Sequence, residues 1–194
     1  MFIVVTGGSG SGKSEFAERR VLELGDGERI YIATMMCFDE ESKKRVARHR
    51  KMRQGKGFRT VERYFNLKDL DLSDPKMTGK EGKRTVLLEC MSNLAANEMF
   101  DPNGAKASAA EEIKIGIDRL LGKCDNLVVV TNEVFSDGLT YDAETVKYQQ
   151  LLGTVNRYMA SLADEVTEVV YGIPVPLKCG KEENGTAAAE RESV

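Results

Sequence analysis

Gly7-Gly8-Ser9-Gly10-Ser11-Gly12-Lys13-Ser14, set directly behind the apolar run Phe2-Ile3-Val4-Val5 and ahead of a helical pattern that opens near Lys13, is the stretch on which the fold turns. Gly7 and Gly12 bracket four residues in a G-x-x-x-x-G-K-S arrangement. Glycine's missing side chain lets consecutive backbone N–H groups curl around phosphate oxygens. The anion then lies at a helix N-terminus, where unpaired donors and the helix dipole favour negative charge. In this arrangement Lys13 reaches the β- and γ-phosphates and the Ser14 hydroxyl supplies one oxygen to a magnesium ion. A nucleoside triphosphate, ATP or GTP, is the expected ligand, with Mg2+ as its companion and Gly7, Gly8, Ser9, Gly10, Ser11, Gly12, Lys13 and Ser14 as its phosphate cradle.

Outward from that loop, strand-length apolar runs alternate with longer amphipathic stretches. Strands are predicted at Phe2 to Thr6, Arg29 to Thr34, Arg84 to Glu89, Leu127 to Thr131 and Glu165 to Val170. Helices are predicted at Lys13 to Leu24, Glu40 to Arg53, Met91 to Glu98, Ala107 to Leu121 and Ala143 to Ala163. Continuous runs such as Leu127-Val128-Val129-Val130 suit strands buried on both faces, so the fold class is α/β, a doubly wound, mostly parallel sheet with helices on both sides. Ligands of such sheets collect at the carboxyl ends of the strands. Ser73 to Lys83 and Asp101 to Ala105 read as surface loops. Residues 1–179 are expected to form one domain, with 180–194 as a loose tail.

The chain has 194 residues, 41% hydrophobic and 30% charged, enough for one substantial core, and its net charge of −3 argues against nucleic acid as the partner. Cys37, Cys90, Cys124 and Cys179 are far apart without a C-x-x-C pair, which suggests reduced thiols rather than a zinc site or a disulfide framework. No apolar stretch approaches a membrane span, and an N-terminus running straight into strand and loop does not read as a cleaved signal. A soluble cytoplasmic protein is expected.

His49, the only histidine, lies within Lys43-Lys44-Arg45-Val46-Ala47-Arg48-His49-Arg50-Lys51-Met52-Arg53. On a helix Arg45, His49 and Arg53 share one face, at i, i+4 and i+8. Cationic neighbours disfavour imidazolium, and a neutral imidazole nitrogen is a competent nucleophile that the arginines could supply with a triphosphate. The competing reading is a solvated basic face on which a histidine happens to sit. RNA binding is disfavoured by the absence of interleaved aromatics.

In these residues the chain resembles the bifunctional adenosylcobinamide kinase and adenosylcobinamide-phosphate guanylyltransferase family. The resemblance runs from Phe2 to about Lys178. Its motifs are Thr6 through Ser14, Tyr31-Ile32-Ala33-Thr34, Arg45 through Arg50 with Arg53, Arg59-Thr60-Val61-Glu62, Leu87-Leu88-Glu89-Cys90, Asn132-Glu133-Val134, Gly153 through Asn156 with Ala160, and Gly172-Ile173-Pro174 with Leu177-Lys178. It implies a P-loop, RecA-like fold and two reactions on one scaffold. In the first, a nucleoside triphosphate gives its γ-phosphoryl group to adenosylcobinamide with help from Lys13. In the second, His49 takes GMP from GTP and passes it to the cobinamide phosphate, giving adenosylcobinamide-GDP. The resemblance also implies nucleotide contacts at Ala33, Thr34 and Met35, at Arg50, Lys51, Met52 and Arg53, and at Glu62 and Glu89, and a homo-oligomer, a trimer in relatives.

Glu89 also stands out without the family, because it closes the strand Thr85-Val86-Leu87-Leu88 at the ligand edge, where an acid can hold magnesium together with Ser14. Glu133 has a similar place after Val128 to Thr131, with functional and structural readings evenly balanced. Cys90 reads as packed rather than reactive. Four departures from the family pattern are visible: Gly10 where an Arg is usual, Phe135-Ser136 where a Gly is usual, Val146-Lys147-Tyr148-Gln149-Gln150 in place of a charged pattern, and Phe58 for Trp. They leave open a kinase lacking the transferase step, and a nucleotide-binding regulatory relative without turnover.

Overall fold

The computed structural model describes residues 1–37, 39–72, 82–135 and 141–180, apart from the Arg45 side chain. It contains β1 (Phe2–Thr6), α1 (Lys13–Glu23), β2 (Gly27–Ala33), α2 (Glu40–Arg53), β3 (Phe58–Glu62), β4 (Lys83–Glu89), α3 (Met91–Phe100), α4 (Ala109–Leu121), β5 (Asn126–Val130), α5 (Ala143–Leu162), β6 (Glu165–Val170) and β7 (Ile173–Lys178), with single 3-10 turns at Leu67–Asp69 and Lys106–Ser108. The strands form one sheet in the order β3-β2-β4-β5-β1-β6-β7. All neighbours are parallel except β6 and β7.

Period-2 alternation sorts the strand residues into two cores. Phe2, Val4, Ile30, Ile32, Val86, Leu88, Leu127 and Val129 face one side, where they pack with Leu94 of α3, Ile113 and Ile117 of α4, and Leu152, Val155 and Met159 of α5. Ile3, Val5, Tyr31, Leu87, Val128 and Val130 face the other, against Ala17 and Val21 of α1. The doubly wound expectation holds. Helix starts follow local chemistry: the Asp39 carboxylate accepts from the Ser42 amide in a capping box, and the Asp142 carboxylate accepts from the Glu144 and Thr145 amides.

Two strands differ from the sequence expectation. β3 was not predicted because Phe58–Glu62 is a short edge strand, half buried to exposed along its length, and lacks an apolar run. β7 was missed because Pro174 and Pro176 break the strand pattern; both are tolerated because β7 is an edge paired only with β6. Lys83, expected in a loop, begins β4, whereas residues 73–81 of that loop and 181–194 of the tail lie outside the described residues.

The backbone suits glycine at two positions of the phosphate loop. Gly10 has φ +75° and an open surrounding, so a side chain at that position meets backbone strain rather than a steric clash. Gly7, at φ +148°, approaches the Val169 carbonyl so closely that a Cβ does not fit.

Candidate functional site

Register assembles the site. Ala33 at the end of β2 lies between Glu62 of β3 and Glu89 of β4, so three neighbouring strands end level at the carboxyl edge of the sheet. The loop after β1 opens at the same edge and leads into α1. Glu89 is 8% exposed and forms the centre of a polar cluster. Ser14 Oγ donates to its Oε1, Tyr31 Oη donates to its Oε2 at 3.2 Å, and His49 Nδ1 lies 3.6 Å from Oε1.

Lys13 is 8% exposed and donates from Nζ to the Gly8 carbonyl at 2.9 Å. Burial pushes its pKa below the ordinary lysine value, against the opposing pull of Cys90 and Glu89. An ammonium that has already lost most of its water exchanges a carbonyl for phosphate oxygens with little further desolvation. Burial also pushes the Tyr31 phenol well above its ordinary value, reinforced by the neighbouring Glu89 charge, so Tyr31 remains a donor. The Arg53 guanidinium lies 3.5 Å from the centre of the Tyr31 ring.

α2 lies across this edge on polar contacts. Among its described side chains only Arg53 is buried. Arg50 Nη2 donates to Glu62 Oε1 at 2.9 Å, and Tyr64 Oη donates to Glu62 Oε2 at 2.8 Å. His49 and Arg53, one turn apart on α2, both meet the sheet, at Glu89 and Tyr31. The expected cationic neighbourhood of His49 is incomplete: the imidazole also meets a carboxylate, Glu89 at the end of β4, which the sequence reading did not place beside it.

The other expected residues occupy graded positions. Thr34 is fully buried; its Oγ1 donates to the Cys90 carbonyl at 2.8 Å and accepts from the Cys90 amide at 2.7 Å, across the cis Glu89–Cys90 peptide. Ala33, Met35 and Met52 are half buried, and Gly8, Ser9 and Gly10 are exposed at the mouth of the loop. Lys51 is drawn away from Glu89: with Arg50, Arg53, Phe58 and Thr60 it lines an open groove of about 790 Å³ on the flank of α2. Cys90 is buried, with its thiol pushed up by burial and Sγ 3.0 Å from Ser92 Oγ, which agrees with the packed reading.

Tyr31 was missed as a site residue although its signal was present: it precedes Ala33 by two positions, and period 2 gives both the same face. Asn132 stood only within the motif Asn132-Glu133-Val134, and Asn97 gave no signal, because long-range folding brings it in. Asn97 Nδ2 donates to the Thr34 and Tyr64 carbonyls, and Asn132 Nδ2 donates to Ser92 Oγ. The Glu133 amide donates to the Gly7 carbonyl at 3.1 Å, tying the end of β5 to the phosphate loop. In the segment that departs from the family's charged pattern, Tyr148 Oη donates to the Ser92 carbonyl at 3.1 Å and Gln149 Nε2 to the Val134 carbonyl at 2.8 Å, while Lys147 pairs with Glu144 at 2.7 Å on the exposed side. Phe135 donates its amide to Glu133 Oε1 at 2.8 Å, and Ser136 lies outside the described residues.

A mostly parallel sheet with a glycine-rich loop after the interior strand β1, a lysine and serine opening the next helix, and an acid closing β4, one strand removed from β1, define a P-loop nucleotide-binding protein. A solved structure of an ATPase domain shares this fold at TM-score 0.51 and 10% identity, covering 86% of this chain and 68% of that one. The model of the family "Cobinamide kinase / cobinamide phosphate guanyltransferase" matches residues 3–177, and the chain belongs to that family. It is 35% identical over 191 residues to the bifunctional adenosylcobalamin biosynthesis protein CobU of Escherichia coli K12, covering 92% of this chain and all of the relative. The Salmonella typhimurium protein of the same name is 33% identical over 190 residues, with the same coverage. The bifunctional protein CobP of Pseudomonas aeruginosa is 28% identical over 176 residues, 90% of this chain and 96% of the relative.

Proposed function

We propose that this chain phosphorylates adenosylcobinamide and then converts the product to adenosylcobinamide-GDP, with His49 carrying GMP between the two substrates. The observation that carries this reading is the convergence of Ser14 and His49 on one carboxylate, Glu89, which brings the phosphate loop and a nucleophile to the same sheet edge.

In the kinase step the loop from Gly7 to Ser14 holds the triphosphate, and Lys13 moves from the Gly8 carbonyl to the phosphates, where it neutralises charge on the transferring group. Ser14 Oγ and the Glu89 carboxylate, already in contact, are the hard oxygen pair that suits Mg2+. When bound there, the ion supplies charge neutralisation on the β- and γ-phosphates. In the transferase step His49 attacks the α-phosphorus and pyrophosphate leaves. Arg50 and Arg53 flank His49 on α2, Arg50 paired with Glu62 and Arg53 stacked on Tyr31, where both can meet nucleotide oxygens.

The protein is read as cytoplasmic, with Cys37 and Cys179 as exposed free thiols suited to a reducing compartment; no helix among the described residues is long and apolar enough to cross a membrane. A homo-oligomer is favoured by the apolar residues left uncovered on β7, with Ile173, Val175 and Leu177 sharing a face by alternation.

The test is product formation. The chain is incubated with adenosylcobinamide, Mg2+ and ATP or GTP, and the corrinoids are separated by mass. Adenosylcobinamide phosphate followed by adenosylcobinamide-GDP supports the reading. Phosphorylation alone reduces it to the kinase, and binding of nucleotide with neither product overturns it.

A further inference from the structure

The one histidine of the chain has a buried and an open side. Its side chain is 17% exposed, and Nδ1 is sealed from solvent without a hydrogen-bond partner, 3.6 Å from Glu89 Oε1. Glu89 is itself held in place: Ser14 and Tyr31 each donate to one of its oxygens, and the Arg53 guanidinium covers the Tyr31 ring. A carboxylate oxygen has two lone pairs, so Oε1 has capacity for an Nδ1–H beside the Ser14 hydroxyl. The separation is a few tenths of an ångström beyond a hydrogen bond, and contacts of this kind tighten when substrate fills a site.

We propose that Glu89 is a positioning residue for His49, accepting Nδ1–H so that Nε2 presents its lone pair to the nucleotide. This rests on the reading of His49 as the carrier of GMP. An imidazole can react through either nitrogen, and the hydrogen bond made by one decides which is left as the nucleophile. The Nε2 lone pair forms the bond to the α-phosphorus while the bond from that phosphorus to the bridging oxygen breaks, and the electron pair leaves on pyrophosphate. No proton moves. Nδ1 keeps its hydrogen, and the ring becomes an Nε2-guanylylated imidazolium whose positive charge faces the Glu89 carboxylate. When a phosphate oxygen of the acceptor attacks the same phosphorus, the P–N electron pair returns to Nε2 and the neutral ring is restored. A buried carboxylate that fixes a tautomer and faces the imidazolium formed in the reaction has the same physical role in the serine hydrolase triad.

The sole histidine makes the test direct. The full chain is labelled with 15N-histidine and its imidazole nitrogens are observed by NMR at pH about 8, above the ordinary imidazole range. The expected spectrum shows hydrogen on Nδ1 and none on Nε2, the reverse of the preference of free histidine, and Glu89→Ala moves the hydrogen toward Nε2. An Nε2–H ring in the wild type, or the same tautomer in wild type and Glu89→Ala, overturns the proposal. Glu89→Gln keeps the side-chain volume and removes the charge. At saturating GTP its rate of labelling from α-phosphate-labelled GTP is expected to fall roughly tenfold or more. Lost affinity with an unchanged saturated rate overturns the positioning role. A wild type that shows the wrong tautomer but takes label defeats this proposal alone, whereas a wild type that never takes label defeats the carrier reading and this proposal with it.

Discussion

Lys13 and Glu28 show how single residues hold charge inside the fold. Lys13 sits where burial disfavours its charge, kept by the Gly8 carbonyl and by the negative groups around it. On the proposed mechanism Lys13→Ala removes the cation that would meet the transferring phosphate, so phosphoryl transfer is expected to fall roughly a hundredfold or more, measured as turnover at saturating nucleotide. Unchanged turnover removes the loop from the chemistry. At the opposite end of the sheet, Glu28 is 9% exposed and accepts from Arg84 Nε at 2.7 Å and Arg59 Nη2 at 2.9 Å. Burial pushes its carboxyl up, but the hydrogen bonds and charges of Arg84 and Arg59 outweigh that and leave it below the ordinary carboxylate value. A lowered folded pKa means that the unfolded chain binds the proton first as pH falls. The contribution to stability is therefore complete above the ordinary glutamate range, about 4.3, and is lost as pH drops through the lower folded value. In Glu28→Gln, denaturant unfolding is expected to show a lower stability at neutral pH and a shallower decline on acidification, and an unchanged acid limb contradicts the pairing.

At the scale of elements, the site depends on strands ending level. Thr34 stitches the end of β2 to the end of β4 through two hydrogen bonds with the Cys90 backbone. Thr34→Val preserves shape but leaves a buried N–H and C=O without that partner, a cost of about 1–3 kcal/mol. Equilibrium unfolding reads the loss, and His49 labelling should weaken in the same variant because Glu89 precedes Cys90. Much of this geometry was legible in the sequence. The Val and Leu runs of β1, β4 and β5 announced buried parallel strands, and the loop from Gly7 to Ser14 fixed which edge binds phosphate. What was not legible depends on pairing across distance. The short edge strand β3 owes its shape to its registration with β2, Asn97 acts on segments far from it in the chain, and no local pattern shows that Glu89 faces His49.

Among the described residues of the whole molecule, the β7 edge of the sheet is exposed. Ile173, Leu177 and Val175 of β7 are 64%, 59% and 40% exposed, and Tyr171 before them is 94% exposed. Two of the six β7 residues are prolines with no N–H to donate, which blunts strand-to-strand extension and leaves face-to-face packing as the way to cover these side chains. Sedimentation of the wild type is expected to show an oligomer, and Ile173→Lys with Leu177→Lys a smaller species; identical masses remove β7 from the contact. The central claim concerns the whole chain too, because it joins γ-phosphate and α-phosphate chemistry at one sheet edge. The most direct measurement gives the protein GTP labelled at the α-phosphate, with Mg2+, and follows label bound to the chain. The expected result is acid-labile, alkali-stable label on wild type, released as a GDP-linked corrinoid on addition of adenosylcobinamide phosphate and absent from His49→Ala. Folded wild type that never takes the label, or His49→Ala that takes it equally, contradicts the claim.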